Sequence, residues 1–130
     1  MNSPAFTQPV FTNPQLAGLE DLAGTYVFDI RTSHRVLKLN RFFWNMIGAD
    51  ARKAFVDDPE ASMTAAGLTD DEKAMIRAQD WIGLVRHGAN FFVLEKFARV
   101  VSMPNLKVYA AMRGESFEDF MNTRNVPTMR

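Results

Sequence analysis

The stretch TDDEKAMIRAQDWIGLVRHGANFFVLEKF, residues 69–97, decides the fold class because it contains three helix starts in close succession. Thr69 is followed three residues later by Glu72, the pattern of a capping box. In that pattern the hydroxyl accepts a hydrogen bond from a helical amide, and the carboxylate accepts one from the amide of the capping residue. Asp80 and Asn90 stand at two further cap positions. The stretch therefore predicts three short helices in a row.

The segments on either side continue the helical pattern. Val36, Leu39 and Met46 follow the three-and-four spacing of an amphipathic helix, which predicts a helix over residues 33–47 that is capped at Thr32 or Ser33. Further short helices are predicted at residues 16–22, 49–56, 59–66 and, after a cap at Ser116, around residues 117–121.

Two segments do not fit the helical pattern. The β-prone residues 25–28 follow a glycine, and residues 99–111 contain valines, a proline and a tyrosine, so we predict extended chain or loop for the latter. The fold class predicted is all-α: a small irregular domain of about seven short helices with little or no strand.

Composition restricts the class of protein. The chain has 130 residues, 47% of them hydrophobic, a net charge of zero and no cysteine. A chain of this length fits one compact domain. We predict a flexible arm at residues 1–15, a helical domain at residues 16–122 and a tail at residues 123–130. Disulfides and cysteine metal sites are excluded, and the balanced charge argues against a nucleic-acid partner.

The longest apolar runs are far shorter than the ~20 residues of a membrane helix, so we predict no membrane segment. The first residues also lack the basic start and the apolar core of a secretory signal. We therefore expect a cytoplasmic protein.

Candidate catalytic residues are few. His34 and His87 are the near-neutral proton carriers of the chain, and they are 53 positions apart without a ligand spacing such as His-x-x-x-His. No serine stands in a nucleophile elbow, and no glycine pattern forms a phosphate-binding loop. We predict no catalytic residue and no metal site, with the two histidines at helix ends.

Adjacent aromatic residues are the most unusual feature of the chain. Neighbours on a helix point about 100° apart, so a thin domain has difficulty burying all of them. We predict that some anchor a subunit interface, as tryptophan and phenylalanine often do. Complete internal burial is the alternative that the pattern leaves open. The candidate interface residues are Phe42, Phe43, Trp44, Trp81, Phe91 and Phe92.

Several short motifs resemble those of a known family in order and spacing. They are GTYVF (24–28), LNRF (39–42), ARKAF (51–55), GLT (67–69) and GANFFVLEK (88–96). From about Leu22 to Phe120 the chain resembles the small alpha subunit of protocatechuate 4,5-dioxygenase and its relatives among the class III extradiol ring-cleaving dioxygenases.

The resemblance implies a small all-helical subunit that holds no cofactor itself. Fe(II) would be bound by the large beta subunit, and this chain would cover the mouth of that subunit's active site as a lid. The implied assembly is a heterotetramer acting on a catechol, and the isolated chain would be inactive. The lid would exclude water and shape the pocket without transferring protons.

The segment after GANFFVLEK departs from the family, which has phenylalanines near the substrate there. Leu106 and Tyr109 are the residues predicted to occupy the lid tip. Arg113 is a candidate partner for a substrate carboxylate, and an ordinary surface arginine is the alternative.

Two other functions remain open at this point. One is a stand-alone helical binding or regulatory domain of the same fold without a dioxygenase partner. The other is a helical DNA-binding module, against which the zero net charge and the lack of a basic recognition helix weigh.

Overall fold

The computed structural model of the chain describes residues 13–123, and this part is all-α, as predicted. Two 3-10 turns, Pro14–Leu16 and Leu19–Asp21, precede the helices. The described residues contain no strand, and none of their helices has the length and apolar character that a bilayer crossing requires. The helices are α1 Ile30–Arg35, α2 Leu37–Asn45, α3 Ala49–Asp57, α4 Pro59–Ala65, α5 Asp70–Ala78, α6 Trp81–His87, α7 Phe91–Val100, α8 Asn105–Met112 and α9 Phe117–Asn122.

Residues 1–12 and 124–130 lie outside the described residues. The predicted arm at residues 1–15 and the predicted tail at residues 123–130 therefore fall almost entirely outside them.

The predicted helix starts of the central stretch are confirmed atom by atom. The backbone N–H of Glu72 donates to Thr69 Oγ1 (3.2 Å), and the N–H of Thr69 donates to Glu72 Oε1 (2.9 Å), which completes the capping box. The side chains of Asp80, Asn90 and Ser116 likewise accept from the first turns of α6, α7 and α9.

The predicted helix over residues 33–47 is two helices. Asp29 caps α1 in place of Thr32 or Ser33, and the chain deviates from helical geometry at the buried Val36, with φ −104° and ψ 13°. Backbone hydrogen bonding continues through the deviation, because the N–H of Val36 donates to Thr32 O at 3.0 Å. The break is thus a local bend, at a β-branched residue whose side chain packs against Gly88.

The prediction of extended chain at residues 99–111 is wrong. Helix α7 continues to Val100, and after a short turn Pro104 precedes α8. Val108 and Ala110 of α8 are buried, and the helix packs on α6, α7 and α9. Burial on three sides outweighs the weak helix propensity of valine and tyrosine, which amounts to less than about 1 kcal/mol per residue.

An aromatic cluster forms the centre of the core, where α2 packs on α7. The ring of Phe43 stacks on Phe97 with centroids 5.1 Å apart, and Phe55 meets Phe97 edge-on at 5.3 Å. Phe42 contacts Phe55 at 6.0 Å, and Trp81 contacts Phe97 at 5.8 Å.

This cluster contains three of the candidate interface residues. Phe42, Phe43 and Trp81 are buried within the chain, with 5%, 0% and 3% of their surface exposed, which is the internal burial that the sequence pattern left open. The two adjacent phenylalanines are both buried because α2 lies between α3 and α7, so two directions about 100° apart both meet other helices.

Gly88 is a position where only glycine fits. Its φ is +121°, and a Cβ atom there would lie 2.8 Å from Thr32 Cγ2 and 3.1 Å from Val36 Cγ1. Gly88→Ala is expected to lower the free energy of unfolding by about 2 kcal/mol, through backbone strain and overpacking together. Urea unfolding followed by circular dichroism measures this change.

Gly114→Ala is the matched control for that substitution. Gly114 also has a positive φ, +69°, but a Cβ atom there would meet nothing within 4 Å. The control should therefore lose only the backbone contribution, about 1 kcal/mol. Equal losses in the two variants would show that the contacts with Thr32 and Val36 do not matter.

Candidate functional site

Helix α2 exposes two large apolar side chains, Leu37 and Trp44, in addition to the apolar stripe that faces the core. Its inner stripe, which includes Leu39 and Phe43, faces the core. Leu37, Arg41 and Trp44 are spaced by four and three residues, so they share the outer side of the helix. Trp44 keeps 59% of its surface exposed. A helix that is apolar on two sides is typical of one that contacts a partner as well as its own core.

The outer stripe of α2 and the start of α7 together form an open groove of about 470 Å³. Phe92, on the first turn of α7, is 72% exposed, and Phe28 is also exposed. The residues that line the groove are Phe28, Leu37, Asn40, Arg41, Trp44, Asn90, Phe92 and Val93.

The side chain of Asn40 holds the two walls of the groove together. Its Nδ2 donates to the carbonyl of Gly88 (3.2 Å), and its Oδ1 accepts from the N–H of Asn90 (2.7 Å). Asn90 in turn caps α7 by accepting from the N–H of Phe92 (2.9 Å). Both walls are therefore joined by direct hydrogen bonds.

Arg41 also lines a second, smaller pocket next to the groove, together with Lys38 and Asn45. Neither Arg41 nor Lys38 makes a hydrogen bond or an ion pair with any other described residue. The groove and the adjoining pocket thus contain two cationic groups and no acidic lining residue.

The residues predicted for the lid lie together on α8 and at its end. Leu106, Tyr109 and Arg113 are spaced by three and four residues, which places them on one side of the helix. Leu106 packs against a small second core with Phe120. The hydroxyl of Tyr109 donates to Glu95 Oε1 on α7.

Arg113 is exposed and already pairs with a neighbouring carboxylate. Its Nη2 donates to Glu115 Oε1 at 2.9 Å, and its guanidinium lies 5.9 Å from the ring centre of Phe120. Its predicted contact with a substrate carboxylate stays a prediction, and such a contact would have to compete with Glu115.

A chain of aromatic contacts connects the lid residues with the groove. Tyr109 packs on Phe91 at 5.4 Å between ring centres, and Phe91 meets Phe92 at 5.9 Å. Phe91 therefore links α7 to α8, whereas Phe92 faces solvent.

The segment that carries most of the groove and the predicted lid residues matches a known protein family. Residues 39–125 match "Aromatic-ring-opening dioxygenase LigAB, LigA subunit". The chain belongs to the LigA family. The family inferred from the short sequence motifs is therefore confirmed. The match includes Trp44, Phe92 and all of α8.

A curated relative of this LigA-family chain is a gallate dioxygenase from Pseudomonas putida KT2440. The two are 48% identical over 111 residues, which is 85% of this chain and 33% of the relative. The chain thus spans about a third of the length of the curated relative it matches.

The two histidines of the LigA-family chain lie in different surroundings. His34 is exposed, whereas His87 Nε2 lies 2.9 Å from Glu72 Oε2 and its carbonyl accepts from Arg35 Nη2 at 2.7 Å. Burial raises the pKa of Glu72, but hydrogen bonds from His87 and Thr69 outweigh burial and hold that pKa below its ordinary value. The described residues contain no group of three or more metal-ligating side chains.

Sequence reasoning missed the contributions of Phe28, Leu37 and Arg41 to the groove of this LigA-family chain. The signal for two of them was present in the spacing Leu37, Arg41, Trp44, which forms a second stripe opposite the core-facing one. Phe28 lies before α1, outside the regular spacing of α2, and joins the groove only through the fold.

Proposed function

We propose that this chain is the non-catalytic small subunit of a two-subunit Fe(II) extradiol dioxygenase, and that it covers the active site of the large subunit during ring cleavage of a protocatechuate-like catechol. Fe(II), held by the large subunit, supplies the redox chemistry. The residues of this chain exclude water and complete the wall of the pocket. A cytoplasmic location belongs to the same proposal.

Membership of the LigA family carries the proposal, because that family is described as one subunit of a ring-opening dioxygenase. The partial match to gallate dioxygenase supports it further. The matched region is about a third of that enzyme, and a region of this size fits one subunit-sized part of a ring-opening dioxygenase.

The surroundings of His87 support the placement of Fe(II) in the large subunit. His87 is already bonded to Glu72, and Arg35 lies against its ring with Nη1 3.3 Å from Nδ1. An iron site built from two histidines and a carboxylate needs ring nitrogens that are open to the metal. The proposal therefore assigns no catalytic step to this chain.

Co-expression with the large subunit from the same source organism tests the proposal. We expect the two chains to purify together and to cleave protocatechuate or gallate, while each chain alone has little activity. Rates with catechol, which lacks the carboxylate, measure how strongly that group is recognised. A stand-alone binding or regulatory domain would be indicated if the two chains do not associate and the turnover of the large subunit is unchanged.

A further inference from the structure

We propose that the groove between α2 and the start of α7 is the surface through which this chain binds the large subunit, with Trp44 and Phe92 as anchors and Arg41 pairing with a carboxylate of that subunit. This inference rests on the proposed function and names the surface that performs it.

The first argument is the apolar surface left uncovered. Trp44 and Phe92 both point away from the core although each has a buried neighbour on the same helix, Phe43 and Leu94 respectively. Large aromatic side chains in adjacent exposed positions are typical of interface anchors and are costly to leave in water. The folding of this chain alone gives no reason to place them there.

The second argument is the shape of the groove. A small-molecule site buries most of its ligand, whereas the lining residues Trp44 and Phe92 keep more than half of their surface in solvent. An open depression with protruding rings on both walls fits a helix face or a ridge of another protein better than it fits a free aromatic acid.

The third argument is charge. Arg41 lies among the aromatic residues of the groove and also lines the adjoining pocket with Lys38, and neither cation has an acidic neighbour in the lining. A partner that covers Arg41 removes its guanidinium from water, which is favourable only if the partner supplies an acceptor. The complementary surface of the large subunit therefore carries an aspartate or a glutamate beside an apolar ridge.

The fourth argument is continuity with the lid residues. Contacts from Phe92 through Phe91 reach Tyr109 on α8, so the groove is connected by packed rings to the side of α8 that carries the predicted lid residues. Binding through the groove would thereby fix the helix that the proposed function places at the active site. If a second copy of this chain occupied the groove, the connection between the groove and the predicted lid residues would have no role.

The test uses the full chain and the purified large subunit, with binding measured by calorimetry. Trp44→Ala and Phe92→Ala are each expected to weaken binding about 30-fold, as interface anchors do. Val56→Ala is the matched control, since Val56 is exposed on α3 and does not line the groove. The control should bind within about twofold of the unchanged chain, because exposed side chains outside an interface contribute little.

Arg41→Gln tests the charge argument separately. We expect weaker binding at low salt and a smaller decrease in affinity as salt is added, because one screened ion pair is lost. Circular dichroism of each variant confirms that its helices are intact.

The outcomes separate the two proposals. If the unchanged chain does not bind the large subunit, the proposed function fails. If it binds and both aromatic variants bind equally well, the proposed function stands and the groove is not the docking surface. Self-association of the chain that is lost in Trp44→Ala, with binding to the large subunit unaffected, would assign the groove to a second copy and overturn the inference.

Discussion

Phe43→Ala is expected to lower the free energy of unfolding by about 3–5 kcal/mol, the largest effect we predict for a single substitution in this chain. Phe43 is 0% exposed, and its ring stacks on Phe97 and lies 5.7 Å from Phe42. Removing it leaves a cavity at the junction of α2, α3 and α7 that large neighbouring rings fill poorly. Since small domains are stable by about 5–15 kcal/mol, much of the total is lost.

Urea unfolding, followed by far-UV circular dichroism, measures this loss as a shift of the midpoint. Phe92→Ala is the matched control, because it deletes the same atoms from a ring that is 72% exposed. The control should change the free energy of unfolding by no more than about 0.5 kcal/mol. Similar losses in the two variants would contradict the burial described for Phe43.

Glu72→Ala is expected to lower the free energy of unfolding by about 3 kcal/mol, because it removes a buried carboxylate that accepts two hydrogen bonds. Glu72 is 3% exposed and accepts from the N–H of Thr69 and from His87. Asp71→Ala is the control, since Asp71 is exposed in the same first turn of α5. The control removes a charge of the same sign with a loss below about 1 kcal/mol.

The same carboxylate predicts a pH dependence. The pKa of Glu72 in the folded chain lies below its ordinary value of 4.5, so the unfolded chain binds a proton more readily there. The stabilisation is fully present above the unfolded pKa and is lost as the pH falls through the folded pKa.

Glu72→Gln keeps a side chain that can complete the capping box but removes the charge. Its free energy of unfolding should therefore fall less steeply than that of the unchanged chain between about pH 5 and pH 3, near and below the ordinary glutamate pKa. Equal slopes in the two proteins would show that Glu72 has no lowered pKa.

Local chemistry predicted the helix starts well from Asp58 onward, but it predicted the first helix start and the helix interiors less well. The capping box of Thr69 and Glu72 is set by residues three positions apart, so the sequence contains all of its determinants. Helix α8 was missed because Val108 and Tyr109 have weak helix propensity, while the packing of this helix on α6, α7 and α9 is recorded in no local pattern. The bend at Val36 was missed as well, and the side chain of Val36 packs beside Gly88, 52 positions away.

The residues of the candidate site were also predicted only in part. Adjacent aromatics correctly indicated that some rings would be exposed, but the sequence did not distinguish Trp44 from its buried neighbour Phe43. That distinction depends on which side of α2 is covered by α3 and α7. The predicted lid residues were assigned to a loop, and only the helix shows that Leu106 and Tyr109 share one side.

The hydrogen bonds of Asn40 have a consequence for how binding would proceed. A docking surface made from two separate helices normally loses conformational entropy when a partner orders it. Asn40 already fixes α2 to the turn between α6 and α7, so the backbone under Trp44 and Phe92 is ordered before any encounter. The entropic cost is then confined to a few side chains, and the proposed docking surface is preorganised.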